Sequence, residues 1–418
     1  MRRVGILGGG QLGTMLAGAV HDLGAHVAIY EPEPMAPACA CFRDVTNAAW
    51  TDAKALEAFV ARCDVVTYEL EHIETSALRA LPPSTPIFPS LDVLEATQDR
   101  AKEKEFLRAS GLPFVDFAVV RGGEELLRAA PAFGLPFILK TARGGYDGKG
   151  QALVKTQEQV AAIAARLGPG QMCVLEEVID LAFEASCIVG RSKAGEEVVF
   201  PVFENAHSEH ILDLTLVPAR VSAELAHTLQ TVALDAARAL SVTGLLTTEF
   251  FVAAASGSAK HGTRTKPVLR SRGIRSGDLE VFVNELAPRP HNSGHVTRSA
   301  CQISQFEVLA RILLDVPLAP PVLVSDGYWC MGNLLGDVWL AQKAARGESL
   351  TGDLDLGALA RMPEVRSVVL YGKRDPQSRR KMGHFVTHAA DAESAMHAAK
   401  AFREALESGI ISGARRSD

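Results

Sequence analysis

The chain has 418 residues, 47% of them hydrophobic and 22% charged, with 35 Gly and 21 Pro. That profile excludes a disordered or collagen-like chain, and the length exceeds one ordinary core, so two or three domains are expected. A net charge of -6 disfavours a nucleic-acid partner, and seven Cys without a C-x-x-C pair disfavour both a disulfide framework and a zinc ribbon.

The opening Met-Arg-Arg-Val-Gly-Ile-Leu-Gly runs straight into glycines with no secretory apolar region, and no apolar stretch is long enough to span a bilayer. A cytoplasmic enzyme without a membrane partner is expected. Residues 3–7 read as a short apolar strand, Gly8–Gly13 as a loop, and the following residues to about Leu23 as a helix. Val27–Tyr30, Cys63–Tyr68 and Pro86–Phe88 read as further strands. Strands alternating with helices at this spacing imply a parallel α/β sheet ending near Leu94. From Asp99 a charged helix leads to the stop signal Gly111-Leu112-Pro113. Pro136–Thr141 reads as a strand, Gly144–Gly150 as a glycine-dense loop, and Cys173–Val178 and Ala182–Val189 as strands of a small α+β domain. Beyond Arg191 come a long helix, Ser222–Leu240, and two strands that look paired, Thr248–Ala253 and Leu279–Glu285. The segment 254–277 between them holds six Lys or Arg and no acid, and reads either as a solvated insertion or as a contact for an anionic partner. The expected domains are 1–98, 99–190 and 191–418, the last with a small terminal subdomain.

Gly8-Gly9-Gly10-Gln11-Leu12-Gly13 satisfies G-x-G-x-x-G between a strand and a helix, with Glu31 near the end of the next strand. Glycines let backbone approach an anion at a helix N-terminus. A dinucleotide, another anionic ligand, or tight packing alone all satisfy the motif. Lys140 ends an apolar strand, and Arg143 to Gln151 brings four glycines and further cations, a backbone able to fold over phosphates. Its spacing is not that of a Walker A loop. Glu176, Glu177, Val178 and Ile179 follow a strand, where backbone groups can meet an adenine edge and an acid a ribose. Glu249 and Glu285 each interrupt an apolar strand. Buried carboxylates need cations or donors, so two on paired strands are candidates to converge on Mg²⁺. Arg289, His291 and Asn292 form a polar loop directly after Glu285, and Arg289 suits a small planar anion. Near the C-terminus, Lys373 precedes Arg379-Arg380-Lys381, a cluster suited to a phosphate monoester.

In combination, GGGQLG, GGYDGKGQ, NELAPRPHNSGH, NLLGD, LYGK and RRKMGH resemble the ATP-grasp superfamily, and within it the 5-(carboxyamino)imidazole ribonucleotide synthases. The resemblance runs almost end to end. It implies an ATP-grasp fold, α/β and α+β, preceded by a Rossmann-like parallel-sheet domain. It also implies that ATP phosphorylates bicarbonate and that the resulting carboxyl group reaches the amine of aminoimidazole ribonucleotide. Carried over by position, ATP would contact Arg100, Lys140, Gly145, Tyr146, Asp147, Gly148, Lys149, Gly150, Gln151, Glu176 to Ile179, Glu184 and His207. Glu249 and Glu285 would hold Mg²⁺ with Asn284 beside them, and Arg289, His291 and Asn292 would face the bicarbonate-derived group. Tyr146 and Asp147 would also face the ribonucleotide, Asp147 catalytically, with Gln11 and Glu69 lining it from the first domain. Lys373, Arg380 and Lys381 would hold its 5′-phosphate. A homodimer is implied by the same resemblance. The nearest rival is a sister ligase, the formate-dependent glycinamide ribonucleotide transformylase. An NAD(P) oxidoreductase resting on Gly8–Gly13 and a non-catalytic nucleotide-binding regulator are rivals from other classes. Glu71-His72 departs from an expected Glu-Asn, and Ser378-Arg379 stands where a glycine is common.

Overall fold

The computed structural model describes residues 1–81, 85–145, 150–254, 272–347 and 354–408. Three sheets organise it. The first is parallel, with β1 (Arg3–Leu7), β2 (His26–Tyr30), β3 (Val45–Thr46) and β4 (Val65–Tyr68) in the order β3-β2-β1-β4. The apolar run of β1 fits a parallel strand covered on both faces. Pro86–Phe88 contributes only an isolated bridge, Ile87 to Val66. The prolines and the short run leave no room for a longer ladder.

The second sheet is antiparallel, with β5 (Phe117–Arg121), β6 (Phe137–Thr141), β7 (Gln151–Val154) and β8 (Met172–Glu177) in the order β5-β8-β6-β7. The third is the ten-stranded body. It holds β9 (Leu181–Arg191), β10 (Glu197–Val199), β11 (Phe203–Ser208), β12 (Ile211–Val217), β13 (Gly244–Ala254), β14 (Ile274–Ser276), β15 (Leu279–Ala287), β16 (Tyr328–Leu335), β17 (Val365–Leu370) and β18 (Lys381–Ala389). Their order is β14-β15-β13-β9-β11-β12-β16-β18-β17, with β10 on β9.

One strand differs from the sequence expectation. Residues 182–189, read with the small domain, lie in β9, which pairs with β13 and β11 inside the large sheet. The reason is visible in its burial: Ala185 to Gly190 are all covered, as befits a central strand packed on both faces. The basic stretch 255–271 lies outside the described residues, and β14, next in the chain, forms the sheet edge beside β15.

Three helices position the site. Ala223–Ala239, capped by the Ser222 hydroxyl, buries Leu225, Leu229, Val232 and Ala236 against β9 and β13. Gln305–Leu314 packs on Gln11–Asp22 and so joins the large sheet to the first one. Arg100–Ala109 lies against β8 and β15, bringing its charged face between the small and large sheets.

Candidate active site

The Gln11–Asp22 helix starts at Gly10 with no side-chain cap of its own. A distant carboxylate takes that role. Gly10 N–H donates to Glu69 Oε1 and Gly13 N–H to Glu69 Oε2, both at 2.6 Å, while Gly9 N–H donates to Glu31 Oε2 at 2.6 Å. A carboxylate is favourable at a helix N-terminus because free N–H groups and the helix dipole both favour negative charge. Glycine is needed for the fit: a Cβ on Gly13 would stand 2.4 Å from the Gly8 carbonyl oxygen, and Gly8 has φ +107°. The amides that a dinucleotide pyrophosphate would use are therefore engaged by the chain's own acids. Burial pushes the Glu69 carboxyl up, against the pull of the Gly13 and Gly10 amides.

The Arg100–Ala109 helix brings a second set of charges. Arg100, Glu103 and Lys104 share one face at i, i+3 and i+4. Lys104, fully buried, sits 3.5 Å from Glu176 Oε1 and donates to the Asn284 carbonyl at 3.3 Å. Lys140 at the end of β6 meets Glu176 Oε2 at 2.6 Å. Arg100 reaches Glu285 at 3.3 Å. Glu103 accepts the Leu286 N–H at 2.6 Å, and burial lifts its carboxyl to about 8 despite nearby Arg100. Asp99 caps the helix and holds Arg143 at 2.9 Å. Sequence reading missed Lys104 and Glu103. The signal was there in their spacing from Arg100, but a charged helix face is usually solvated, and only contact with β8 and β15 buries this one.

On the large sheet, Glu249 of β13 and Glu285 of β15 are direct cross-strand partners. The register shifts immediately after Glu249, so Asn284 is the extra residue of a bulge. That local twist lets successive residues, Asn284 and Glu285, both face the same cleft. His291 Nε2 stands 3.0 Å from Glu249 Oε1. Burial disfavours the charged form of Glu249, but the hydrogen bond from His291, with His207 and then Arg289 nearby, outweighs it and holds the carboxyl at about 2. Arg289 is clamped by Glu71, Nε to Oε1 3.0 Å, and His207 pairs with Glu184 at 3.1 Å. Glu71 is thus a further acid of this site. Among the described residues, Asn284 Oδ1 and both amide atoms of Asn292 are buried without a hydrogen-bond partner. Such groups are costly to leave bare and are suited to a ligand.

The C-terminal hairpin adds the last wall. Lys373 donates to the Lys381 carbonyl at 3.0 Å, and Arg380 Nη1 to the Arg374 carbonyl at 2.7 Å. Burial and the neighbouring Arg380 lower Lys373 to about 8. Arg379, at φ +67°, donates to the Glu209 carbonyl at 2.8 Å.

All these walls enclose one cleft of about 800 Å³. Of the sequence-predicted residues, it is lined by Gln11, Glu69, Arg100, Lys140, Gly145, Gly150, Gln151, Glu184, His207, Glu249, Asn284, Glu285, Arg289, His291, Asn292, Lys373, Arg380 and Lys381. Glu176 instead lies beneath it as the counter-ion of Lys140 and Lys104. Glu177, Val178 and Ile179 are half-buried at and just past the end of β8, where the adenine and ribose contacts expected of them belong to the proposal below. Tyr146, Asp147, Gly148 and Lys149 lie outside the described residues.

Family models match in three segments: a ribonucleotide synthetase preATP-grasp domain over residues 1–98, an ATP-grasp domain over 105–306, and a phosphoribosylaminoimidazole carboxylase C-terminal domain over 330–398. The chain is 36% identical over 385 residues to the N5-carboxyaminoimidazole ribonucleotide synthase of Bacillus subtilis (strain 168), spanning 91% of this chain and 90% of that protein. The chain belongs to the N5-carboxyaminoimidazole ribonucleotide synthase family. The synthetase from Staphylococcus aureus complexed with ADP superposes with a TM-score of 0.80 at 30% identity, covering 96% of this chain and 97% of that one. The Aspergillus clavatus synthase in complex with ADP and 5-aminoimidazole ribonucleotide gives 0.79 at 25%, over 97% and 98%. The architecture is therefore an ATP-grasp fold preceded by a parallel-sheet domain, as the motifs implied. None of these three relatives bears the name of the formate-dependent sister enzyme or of a dinucleotide oxidoreductase. No helix among the described residues is long and apolar enough to cross a membrane.

Proposed function

We propose that this cleft carboxylates the exocyclic amine of 5-aminoimidazole ribonucleotide with bicarbonate, at the expense of ATP. As a member of its family the chain is an ATP-dependent, ADP-forming carbon–nitrogen ligase of purine biosynthesis, with ATP and Mg²⁺ as cofactors. The observation that carries the reading is the meeting of Glu249 and Glu285 in one cleft with Lys140, Arg100, Arg289 and Lys373. Phosphoryl transfer asks chiefly for positioning and charge neutralisation, which this set supplies without a covalent nucleophile.

Glu249, Glu285 and Asn284 suit a hard divalent cation: two facing carboxylates and a buried amide oxygen with no hydrogen-bond partner among the described residues. Mg²⁺ held there would neutralise phosphate oxygens. Lys140 and Arg100 would flank the ATP phosphates, and Arg289, oriented by Glu71, would clamp bicarbonate through its planar fork. A bicarbonate oxygen attacks the γ-phosphorus, the bond to ADP breaks, and carboxyphosphate forms. The amine nitrogen then attacks the carboxyl carbon, the C–O bond to phosphate breaks, and the amine gives up a proton, leaving the carbamate. Lys373 and Arg380 would grip the ribonucleotide 5′-phosphate, and Gln11 and Glu69 would line its other side. The residues 146–149 that complete the ATP loop by resemblance, Asp147 among them, and the adenine and ribose contacts of Glu177, Val178 and Ile179 belong to the same proposal. A small lid carried by the second sheet would keep water from the labile intermediate. A homodimer is part of the same proposal and is read by light scattering.

The experiment uses ¹³C-bicarbonate with ATP, Mg²⁺ and the ribonucleotide. An ATP-dependent ¹³C carbamate signal is expected; ATP consumed with no ¹³C in the nucleotide contradicts the proposal.

A further inference from the structure

The Nδ1 edge of His291 faces away from the cleft, toward Ser293. The Ser293 backbone N–H donates to Nδ1 at 3.3 Å, and the Ser293 hydroxyl oxygen lies 2.9 Å from it. A backbone N–H can only donate, so Nδ1 accepts and carries no hydrogen. With no hydrogen on Nδ1, the Ser293 hydroxyl must be the donor across that 2.9 Å contact. Behind it, Asn205 Oδ1 lies 3.0 Å from Thr215 Oγ1, a hydroxyl able to donate or accept, so the amide's orientation is read from its Ser186 side. Asn205 Nδ2 donates to Ser186 Oγ at 2.8 Å, and Ser186 in turn donates to Ser293 Oγ at 2.8 Å. Because Ser293 gives its hydrogen to His291, it accepts from Ser186, Ser186 accepts from the Asn205 amide nitrogen, and Asn205 Oδ1 is left to accept from Thr215. The His291 backbone is pinned as well: Gln305 Oε1 accepts its N–H at 2.8 Å and Gln305 Nε2 donates to its carbonyl at 2.7 Å. Thr215, Ser186, Ser293 and Gln305 are 0% exposed and Asn205 6%, so water does not compete with the chain.

We propose that the Ser293 backbone N–H together with this line of donors, Thr215 to Asn205 to Ser186 to Ser293, holds His291 as the tautomer with its hydrogen on Nε2 and presents that N–H to the cleft. Asn205, Ser186 and Ser293 are positioning residues for the carboxylation proposed above, on which their catalytic effect rests. The tautomer assignment stands on the Nδ1 side of the ring alone. An N–H at Nε2 is a donor suited to oxygen anions, whether the Glu249 carboxylate 3.0 Å away or a substrate oxygen that displaces it.

Nitrogen-15 NMR of the full chain labelled in histidine reads the tautomer directly, with the His291 signals identified by their loss in His291→Gln. The wild type should show Nδ1 as a bare ring nitrogen and Nε2 as a protonated one; hydrogen on Nδ1 overturns the assignment. Asn205→Asp reverses the line, since a carboxylate cannot donate: Ser186 turns its hydrogen toward the new acid and Ser293 turns its own toward Ser186. Only the Ser293 backbone N–H at 3.3 Å then opposes a hydrogen on Nδ1, so the share of His291 protonated there should rise. In the same variant kcat should fall by about 10- to 100-fold with KM for ATP unchanged, the size typical of lost second-layer orientation. Loss of activity with an unaltered tautomer overturns the positioning role. The wild-type spectrum decides the assignment even where the variant does not fold. A wild type with this tautomer but no bicarbonate-dependent turnover contradicts the reaction, not the line of donors.

Discussion

Replacing Glu176 by Gln removes a negative charge from beneath the cleft and leaves two lysines facing one another. Glu176 is 1% exposed, with Lys140 Nζ at 2.6 Å on one oxygen and Lys104 Nζ at 3.5 Å on the other. Burial favours the neutral acid, but Lys104, Lys140 and Arg100 outweigh it and bring the carboxyl from its usual 4.5 to about 2. At about 1.36 kcal/mol for each pH unit, that interval corresponds to roughly 3 kcal/mol of stability at neutral pH. Breaking a buried pair by removing one partner costs about 3–5 kcal/mol, the same order. An unfolding entropy near 2.1 cal/mol/K per residue gives about 0.9 kcal/mol/K for 418 residues, so Glu176→Gln should lower Tm by roughly 3–4 °C. Calorimetry at pH 7 measures it. The sign with pH is fixed by the depressed value: the contribution is full above the unfolded 4.5 and is lost as pH falls toward about 2, so the wild-type advantage should shrink on acidification. A Tm within about 1 °C of wild type at pH 7 would refute the account of Glu176 as a needed counter-ion.

Other expectations concern the walls of the cleft. Glu285→Gln should abolish ATP turnover with near-native circular dichroism; near-normal turnover removes the metal assignment. Lys373→Ala should raise KM for the ribonucleotide far more than for ATP. Because Lys373 is cationic only below about 8, the wild-type KM for the ribonucleotide should climb as pH rises through that value, and a flat profile would move the phosphate grip elsewhere. Gly13→Ala puts a Cβ 2.4 Å from the Gly8 carbonyl oxygen and should destabilise the first domain by about 1–3 kcal/mol in urea unfolding, with no change meaning that the loop yields to the added methyl.

The site's acids and cations are legible in the sequence because they break local rules. Glu249 and Glu285 stand out as carboxylates on apolar strands, and the structure sets them directly opposite one another. Their convergence with Asn284 rests on a bulge that no residue pattern marks. Glu69 reads from the motifs as a substrate contact; the structure shows it also capping the glycine loop, a pairing 59 and 56 residues distant in the chain. Lys104 hides in a charged helix, and Ser186, Asn205 and Ser293 are common residue types whose alignment exists only across strands. Residues 182–189 join a different sheet from the one expected, because a buried strand of this composition carries no label for its neighbours.

The most direct measurement is ADP release with ATP, Mg²⁺ and bicarbonate, with and without 5-aminoimidazole ribonucleotide. The account predicts strong stimulation by the ribonucleotide that disappears when bicarbonate is withheld. Turnover with formate and glycinamide ribonucleotide instead, or no ribonucleotide-stimulated ADP release at all, would contradict it.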